Sequence, residues 1–290
     1  IEQTFGRYLS SEVADRLLRS ADGLDFSGRK GTVTVLLSDL RGFATFSDVL
    51  PPETIVKLLN NYLSEMTTVI QKYNGTIDAF IGDAILTVFG APLQRPDDAE
   101  RAVACALEMQ LAMSRVNTWN SQNGLSDLEM GIGINTGEVV VGNIGSRKRA
   151  KYSVVGSNVN LAARIEGYTV GGQVLISKGT KDAVKTPLTL NDSDVIEPKG
   201  LATPITVYDV TGLGGNYNLA LGSSETKSTD LDPPVALKFR LLSGKKVVGK
   251  VQSGFVLNLS STEALIKSEF APAAFTDLQL LLERADGSGT

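Results

Sequence analysis

The chain has 290 residues with 28 Lys or Arg and 32 Asp or Glu, so its net charge is −4, and it contains no histidine. At roughly 100–200 residues per domain, this length predicts one large domain or two smaller ones, and the acidic balance argues against nucleic-acid binding. The lack of histidine excludes Ser-His-Asp and Cys-His nucleophile systems, histidine general bases and zinc sites built on histidine.

The first half of the chain predicts an alternation of helices and strands. Residues 10–18 form a short helical pattern for which Ser10 or Ser11 is a fair N-cap. Gly82-Asp83 separates two apolar runs and is typical of a tight hairpin turn. After the first helix, the pattern predicts strand, helix, strand, strand and helix over 32–37, 51–73, 76–81, 84–89 and 97–119.

The second half predicts shorter elements. Strands are expected over 128–134, 139–144, 152–155, 173–176, 194–197 and 205–210, with a helix from about 157 after the third of them. Short β runs also occur near the end of the chain, over 236–242, 247–252 and 264–267. The chain therefore divides into residues 1–30, a main domain over 31–211, a Gly-, Ser- and Asn-rich linker over 212–234, and a partial β module over 235–290.

Two aspartates stand where strands end. Asp39 closes the predicted strand before a Gly-containing turn, and Asp83 lies at the tip of the predicted hairpin. If the hairpin pairs beside that strand, both carboxylates lie at one sheet edge and can hold two Mg²⁺ or Mn²⁺ ions, while backbone N–H groups of 40–45 cradle phosphates. Taken singly, Asp83 is more typical of a turn residue than of a metal ligand, and Asp39 is equally plausible as a helix N-cap. The two residues alone leave both interpretations open.

A wider pattern favours the metal site. Four segments follow one another in order: DLRGF at 39–43, FIGDA at 80–84, GIGINTG at 131–137 and VGSNVNLAAR at 155–164. Together they resemble the catalytic domain of the class III nucleotidyl cyclases, which make cyclic AMP or cyclic GMP. The resemblance covers about residues 31–211 and is specific because four motifs share the family's order and spacing.

The resemblance implies a role for each matching residue. Asp39 and Asp83 match the metal-binding aspartates, with the Leu40 carbonyl as a further ligand of two Mg²⁺ or Mn²⁺ ions. Asn160 and Arg164 match the residues that orient the ribose and stabilise the charged transition state; four residues apart, they share one helix face. Residues that contact substrate are then Leu40, Arg41, Gly42, Phe43, Ala44, Thr45 and Lys199, the last as a triphosphate contact.

The resemblance also implies an architecture and a reaction. The expected fold is α+β, with a ferredoxin-like, palm-type central sheet that is mostly antiparallel and flanked by helices, followed by a small C-terminal β module. Each site lies between two protomers, one supplying the carboxylates and the other the Asn/Arg pair, so a homodimer is expected. The reaction is attack of the ribose 3′-hydroxyl on the α-phosphorus with release of pyrophosphate, which requires no histidine.

The base-contacting positions depart from the family pattern. Ala79 stands where adenylyl cyclases typically have Lys and guanylyl cyclases have Glu, and Ser153 stands where some members have Asp or Thr. Because Ser153 can replace the hydrogen bonding of Thr and no Glu is present at 79, ATP is the expected substrate. The alternatives are GTP, a weakly active or non-catalytic nucleotide-binding module, and a purely structural dimerisation module.

The expected cellular location of the domain follows from features that the sequence lacks. The single cysteine, Cys105, cannot form an internal disulfide and is expected in the core, and no run of apolar residues is long enough for a membrane helix. We therefore expect a cytoplasmic location, alone or as the cytoplasmic part of a larger membrane-attached receptor. Because the chain begins at Ile1, an upstream sensor coupled through the N-terminal helix is expected.

Three other sequence patterns give weaker evidence of function. The glycines at 131, 133 and 137 lack the spacing of a dinucleotide-binding loop. The basic stretch 147–151 is typical of a solvated hairpin tip or a dimer arm, with phosphate contact as the alternative. Residues 257–264 resemble part of the Asp-x-Ser-x-x-Gly segment of PilZ domains, with Asn258 in place of the Asp, and no cyclic di-GMP binding is predicted.

Overall fold

A computed structural model describes residues 28–48, 50–146, 149–198, 203–222, 229–243, 246–260, 264–272, 276 and 278–281. The chain forms two compact units, residues 1–222 and 223–290. The helix predicted over 10–18 lies outside the described residues. None of the helices within the described ranges combines the length and the apolar character that a membrane span requires.

The larger unit is built from a long sheet and five helices among its described residues. In chain order its elements are β1 (Arg29–Leu40), α1 (Phe43–Ser47), α2 (Pro52–Lys72), β2 (Thr76–Ile81), β3 (Ala84–Phe89), α3 (Asp98–Gln122), β4 (Met130–Ser146), β5 (Arg149–Val155), α4 (Ser157–Glu166), β6 (Val174–Ser177), α5 (Lys178–Ala183), β7 (Leu188–Ile196), β8 (Ile205–Leu213) and β9 (Leu219–Ala220).

The strands form one sheet in the order β2-β3-β1-β4-β6-β8-β7, with β5 paired to β4 and β9 paired to β8. Every pairing in it is antiparallel except that of β4 with β6. This confirms the predicted α+β fold with a mostly antiparallel central sheet and flanking helices. β1 lies between β3 and β4, so its end is flanked on both sides by other strands.

The core lies between this sheet and the long helices α2 and α3. Tyr62 and Met66 of α2 and Leu107 of α3 are fully buried against sheet residues such as Phe89. Cys105 is also fully buried, which confirms the core position expected for it. The apolar stripe of α2 was predictable because apolar residues recur every three or four positions along it.

The prediction of two strands over 128–134 and 139–144 is wrong. A single strand, β4, runs through the intervening residues, where Asn135 and Thr136 pair in register with Val35 and Thr34 of β1. The Thr136 and Thr34 hydroxyls hydrogen-bond to each other at 2.8 Å between oxygens. Polar residues that predict a turn therefore continue the strand, since a neighbouring strand supplies partners for them.

Part of the segment expected to be a linker, 212–234, is folded. β8 extends to Leu213, β9 pairs with it, and Tyr217 packs on Tyr73 with ring centroids 6.2 Å apart. The later part of the segment contributes the start of the smaller unit's first strand, at Thr229. The helix α5 and the first half of β7 were not predicted.

The smaller unit is a four-stranded antiparallel sheet among its described residues. Its strands are β10 (Thr229–Ser243), β11 (Lys246–Leu259), β12 (Ala264–Ser268) and β13 (Leu278–Leu281), in the order β12-β11-β10-β13. Leu237, Phe239 and Val256 form its small core. The similarity to PilZ domains stays a prediction.

Helix α4 packs unusually close to β4 because β4 carries glycines at the contact. A Cβ atom at Gly133 would lie 2.3 Å from the Glu166 nitrogen and 2.7 Å from the Ala162 oxygen, and one at Gly137 would lie 2.4 Å from the Asn158 side chain. Backbone atoms of a helix cannot move aside as a flexible side chain can. Helix packing therefore explains Gly133 and Gly137, two of the three glycines in the 131–137 pattern.

We expect Gly133→Ala to lower the free energy of unfolding of the larger unit by about 1–3 kcal/mol, because the added methyl group overpacks the contact. The measurement is a urea titration followed by fluorescence of Trp119, the only tryptophan, which lies in α3. Gly222→Ala is the control, since a Cβ there meets nothing within 4 Å. Equal effects of the two substitutions would contradict the packing argument.

Candidate active site

The fold brings Asp39 and Asp83 together. Asp39 lies at the end of β1, Asp83 lies in the turn between β2 and β3, and β1 pairs with β3 up to Ser38 and Ile85. The Leu40 N–H donates a hydrogen bond of 3.2 Å to Asp83 Oδ2. Pairing of the hairpin beside β1 thus places both carboxylates at one edge of the sheet, as the sequence predicted.

The proximity of the two carboxylates is reflected in the pKa of Asp39. Burial, a hydrogen bond with Asp83 and the charge of Asp83 raise the pKa of Asp39 from 3.8 to about 6, although the positive charge of Arg41 opposes the shift. Two carboxylates this close favour one shared proton or a cation between them. The pair is therefore suited to bind positive charge.

The third charged group at this edge is Arg41. Its guanidinium forms an ion pair with Glu166, and its Nη1 donates to the Thr169 carbonyl oxygen at 3.3 Å. Burial lowers the pKa of Arg41, while the charges of Asp39 and Asp83 act in the opposite direction. Asp39, Asp83 and Glu166 thus surround a single guanidinium, which leaves an excess of negative charge.

The turn after β1 has the backbone that its sequence requires. Gly42 has φ 66°, in the left-handed region that favours glycine, and the buried Phe43 anchors the short helix α1 in the core. The N–H of Leu40 donates to Asp83, and that of Arg41 donates to the Glu129 carbonyl at 2.8 Å. The prediction of phosphate-binding N–H groups over 40–45 is therefore narrowed to Gly42–Thr45, in the first turn of α1.

Asn160 and Arg164 lie on the outward face of α4. The opposite face of this helix is buried through Ala162, Ile165 and Glu166, whereas Asn160 is exposed and Arg164 is half-buried. Within the described part of the chain, neither side chain has a hydrogen-bond partner. The predicted pair is therefore presented together, but away from the sheet on which its own helix packs.

The start of α4 is held by a side-chain bond to β4. Asn135 Nδ2 donates to the Asn158 carbonyl oxygen at 2.9 Å and to Asn158 Oδ1 at 3.1 Å, and Asn158 Nδ2 donates to the Glu138 carbonyl at 2.9 Å. These bonds and the glycine contacts of β4 fix the helix against the sheet. The direction in which Asn160 and Arg164 project is thereby set.

The two predicted base-contacting positions lie on β2 and β5. Ala79 pairs in register with Leu86, Ser153 pairs with Gly142, and both are half-buried. The strands that carry them are joined by an ion pair of 2.6 Å between Lys151 Nζ and Asp78 Oδ2. The predicted triphosphate contact, Lys199, lies outside the described residues, as do two residues of the basic stretch, 147 and 148.

The donor set at the sheet edge fits a hard divalent cation. Asp39 and Asp83 supply carboxylate oxygens at one place, and the carbonyl of Leu40, the residue after Asp39, is the further ligand that the sequence predicts. Among the described residues, no cluster of three or more His, Cys, Asp or Glu side chains could hold a metal. Mg²⁺ is often bound by one or two carboxylates together with phosphate oxygens, so two aspartates are sufficient for such a site.

Three residues of this region were not predicted from the sequence. Glu166 and Thr169 contact Arg41, and the hydroxyl of the buried Tyr62 donates to Met130 Sδ at 3.4 Å; burial raises the pKa of Tyr62. A glutamate on the same helix face as Ala162 and Ile165 is the one pattern that could have indicated a buried ion pair. Nothing in the sequence indicates its partner.

Comparison with known proteins gives consistent results. The sequence model of the adenylate and guanylate cyclase catalytic domain matches residues 27–212. Adenylate cyclase 1 of Rhizobium meliloti (strain 1021) is 30% identical over 215 residues, which cover 72% of this chain and 32% of that relative. The chain thus spans well under half of that relative's length.

Two solved structures are similar to about two thirds of this chain. The guanylyl cyclase Cya2 is 54% identical with a TM-score of 0.66, and the match covers 67% of this chain and 99% of that one. The adenylyl cyclase CyaB from P. aeruginosa is 36% identical with a TM-score of 0.63, covering 67% of this chain and 100% of that one. The family model ends at residue 212 and leaves the smaller unit unassigned.

We expect Asp39→Asn to stabilise the metal-free protein at pH 7.5. Because the folded-state pKa of Asp39 is raised to about 6, its stabilising contribution is present below pH 4 and is lost as the pH rises through 6. After allowance for solvent screening, the gain is on the order of 1 kcal/mol, or about 2–4 °C in Tm. The gain should shrink towards pH 4.

The measurement is thermal unfolding with EDTA across this pH range, with Asp192→Asn, at an exposed position, as the control. Adding Mg²⁺ or Mn²⁺ at pH 7.5 should raise the Tm of the unmodified protein and leave that of Asp39→Asn nearly unchanged. An equal cation effect on both proteins would show that the ion binds elsewhere.

Proposed function

The chain belongs to the family of adenylate and guanylate cyclase catalytic domains, and from this premise we propose that it converts ATP to 3′,5′-cyclic AMP and pyrophosphate at the interface of a homodimer. The observation that carries the proposal is the convergence of Asp39 and Asp83 at one sheet edge, combined with the outward presentation of Asn160 and Arg164 on α4. Both halves of a two-part site are present in this one chain.

The proposed reaction is an intramolecular phosphoryl transfer. The ribose 3′ oxygen forms a bond to the α-phosphorus while the bond from that phosphorus to the oxygen between the α- and β-phosphates breaks. Pyrophosphate leaves with that oxygen, and the hydroxyl proton leaves to solvent. Two Mg²⁺ or Mn²⁺ ions held by Asp39, Asp83 and the Leu40 carbonyl would acidify the attacking hydroxyl and stabilise the departing pyrophosphate. The N–H groups of Gly42–Thr45 would position the phosphates.

Asn160 and Arg164 supply the other half of the chemistry. The amide of Asn160 can hydrogen-bond the ribose, and this fixes the 3′ oxygen in line with the bond that breaks. Arg164 offsets the negative charge that grows on the phosphate oxygens in the transition state. Neither side chain is engaged within the described part of the protomer, so both are available to a nucleotide. Lys199 remains the proposed triphosphate contact.

The direction of α4 supports the proposed homodimer. Its buried face packs on β4 and β1 of its own protomer, while Asn160 and Arg164 face the other way. A partner protomer placed against that face would supply its own Asp39 and Asp83. Two-fold symmetry would then create two equivalent sites. This argument supports a dimer in which a single protomer lacks a complete site.

The choice of ATP rests on the base-contacting positions. Ser153 can donate or accept a hydrogen bond, whereas Ala79 can do neither, so the serine is the remaining polar contact to a base. Adenylate cyclases occur among the similar proteins. GTP is the second candidate, because the guanylyl cyclase Cya2 shares 54% identity with this chain. With an alanine at 79, orientation of either base depends on fewer hydrogen bonds.

Two further readings remain as alternatives to a cyclase of ordinary rate. A weakly active or non-catalytic nucleotide-binding module would retain metal-dependent nucleotide binding without efficient turnover. A structural dimerisation module would bind neither. We place the domain in the cytoplasm and under the control of an upstream sensor, both of which stay predictions.

We expect the purified chain with Mn²⁺ or Mg²⁺ to form more cyclic AMP from ATP than cyclic GMP from GTP, measured by chromatography. Ala79→Lys should favour ATP further and Ala79→Glu should favour GTP, each by about tenfold in kcat/KM, because each restores a hydrogen bond to the base. Asp39→Ala is the control that abolishes turnover. Cyclic GMP in excess would overturn the choice of ATP, and nucleotide binding without any cyclic product would identify a non-catalytic module.

Mixing two inactive variants tests the shared site. Asp39→Ala and Arg164→Ala should each be inactive alone, because each homodimer loses one half of both sites. After subunit exchange, half of the dimers are mixed and one of their two sites is intact, so about a quarter of the unmodified activity should return. No recovery in mixtures that exchange subunits, as followed by two affinity tags, would contradict a site built from two protomers.

A further inference from the structure

The side chain of Arg41 connects two parts of the larger unit that have separate tasks in the proposed site. Arg41 follows Asp39 by two residues, in the turn that carries the metal ligands. Its guanidinium forms an ion pair with Glu166, the last residue of α4 and two residues beyond Arg164. A single contact therefore joins the metal-binding turn to the helix that presents Asn160 and Arg164.

The absence of a side chain at Gly131 provides the space for this contact. Gly131 of β4 pairs in register with Asp39, and a Cβ atom there would lie 2.9 Å from Arg41 Nη2 and 1.9 Å from Thr169 Oγ1. Any side chain at this position would displace both groups. The first glycine of the 131–137 pattern thus makes room for the guanidinium, as Gly133 does for α4.

Arg41 also contacts the backbone that follows the end of α4. Thr169 N–H and Oγ1–H both donate to the Glu166 carbonyl, at 2.9 and 2.7 Å, and the Thr169 carbonyl accepts from Arg41 Nη1. The guanidinium therefore contacts both the carboxylate of Glu166 and the Thr169 carbonyl, three residues beyond the end of α4.

Both side chains of the Arg41–Glu166 ion pair are largely shielded from solvent. The side chain of Glu166 is 8% exposed and that of Arg41 is 26% exposed. A buried carboxylate that loses its partner is strongly unfavourable, so Glu166 keeps the guanidinium at the helix. The same guanidinium faces Asp39 and Asp83. Any shift of the metal-binding turn would therefore be transmitted to α4 through this pair.

We propose that Arg41 and Glu166 are a positioning pair that fixes the metal-binding turn and helix α4 of one protomer relative to each other. In the homodimer of the proposed function, on which this inference rests, these two parts serve different sites. Asp39 and Asp83 act in one site, and Asn160 and Arg164 act in the other. The pair thus links the geometry of the two active sites through the interior of each protomer.

The test uses Glu166→Gln, which removes the charge and keeps the shape of the side chain. Glu65→Gln is the matched control, because Glu65 forms an ion pair of 2.8 Å with Arg115 that joins α2 and α3. Each variant is paired with an inactive partner in mixed dimers purified through two tags. With Asp39→Ala as partner, the one working site uses the metal-binding turn of the variant; with Arg164→Ala, it uses the variant's α4.

We expect Glu166→Gln to lower kcat in both pairings, by about tenfold or more, since misplacement of reacting groups by about 1 Å has effects of up to about 100-fold. Glu65→Gln should leave both pairings unchanged. A lower kcat only in the pairing with Arg164→Ala would show that Glu166 stabilises its own helix and nothing more. That result would overturn the proposal. So would a loss in neither pairing.

A second measurement does not depend on cyclase activity. In Glu166→Gln the positive charge of Arg41 is no longer balanced, so it should weaken the binding of Mn²⁺ in the absence of nucleotide. We expect the Kd for Mn²⁺, measured by electron paramagnetic resonance, to rise by about tenfold. Unchanged Mn²⁺ affinity would overturn the proposal even if the chain makes no cyclic nucleotide. If Glu166→Gln does not fold, as judged by Trp119 fluorescence, Arg41→Lys is carried through the same pairings, with a loss in both again expected.

Discussion

Two negative charges held close together are the constraint on which the larger unit depends. Asp39 and Asp83 reach the same edge of the sheet because the β2–β3 hairpin pairs beside β1, and the Leu40 N–H holds Asp83 in place. The fold keeps them together at a cost that appears in the raised pKa of Asp39. The guanidinium of Arg41 offsets part of this repulsion, and a divalent cation would offset the rest.

The second half of the site depends on a different kind of contact. Helix α4 lies against β4 at a distance that only glycine allows, and hydrogen bonds between Asn135 and Asn158 fix where the helix begins. Close packing of this kind is rigid because it involves backbone atoms on both sides. The face that carries Asn160 and Arg164 therefore has one orientation, set by contacts within the protomer.

Much of the fold follows from local patterns, and what does not follow depends on distant partners. The hairpin around Gly82-Asp83 and the stripe of α2 were predictable, since each pattern lies within a single element. The continuity of β4 through Asn135 was not, because its polar residues are satisfied by β1. The convergence of Asp39 and Asp83 was predictable only on the condition that the hairpin pairs beside β1, which the order of the four motifs favoured. The ion pair of Arg41 with Glu166, in contrast, joins residues 125 positions apart and leaves no local trace.

The β-bulge in β2 has a consequence for how substrate preference can change in evolution. The register of β2 with β3 shifts between Ile77 and Ala79, and the residue at the shift, Asp78, is tied to Lys151 of β5. In the turn of the β2–β3 hairpin, Asp83 accepts a hydrogen bond from the Leu40 N–H. Position 79 thus lies between two anchored points, so its side chain can be exchanged without moving the carboxylate. If position 79 contacts the base, as proposed, a single substitution there would alter which base is accepted while the metal-binding carboxylates stay in place.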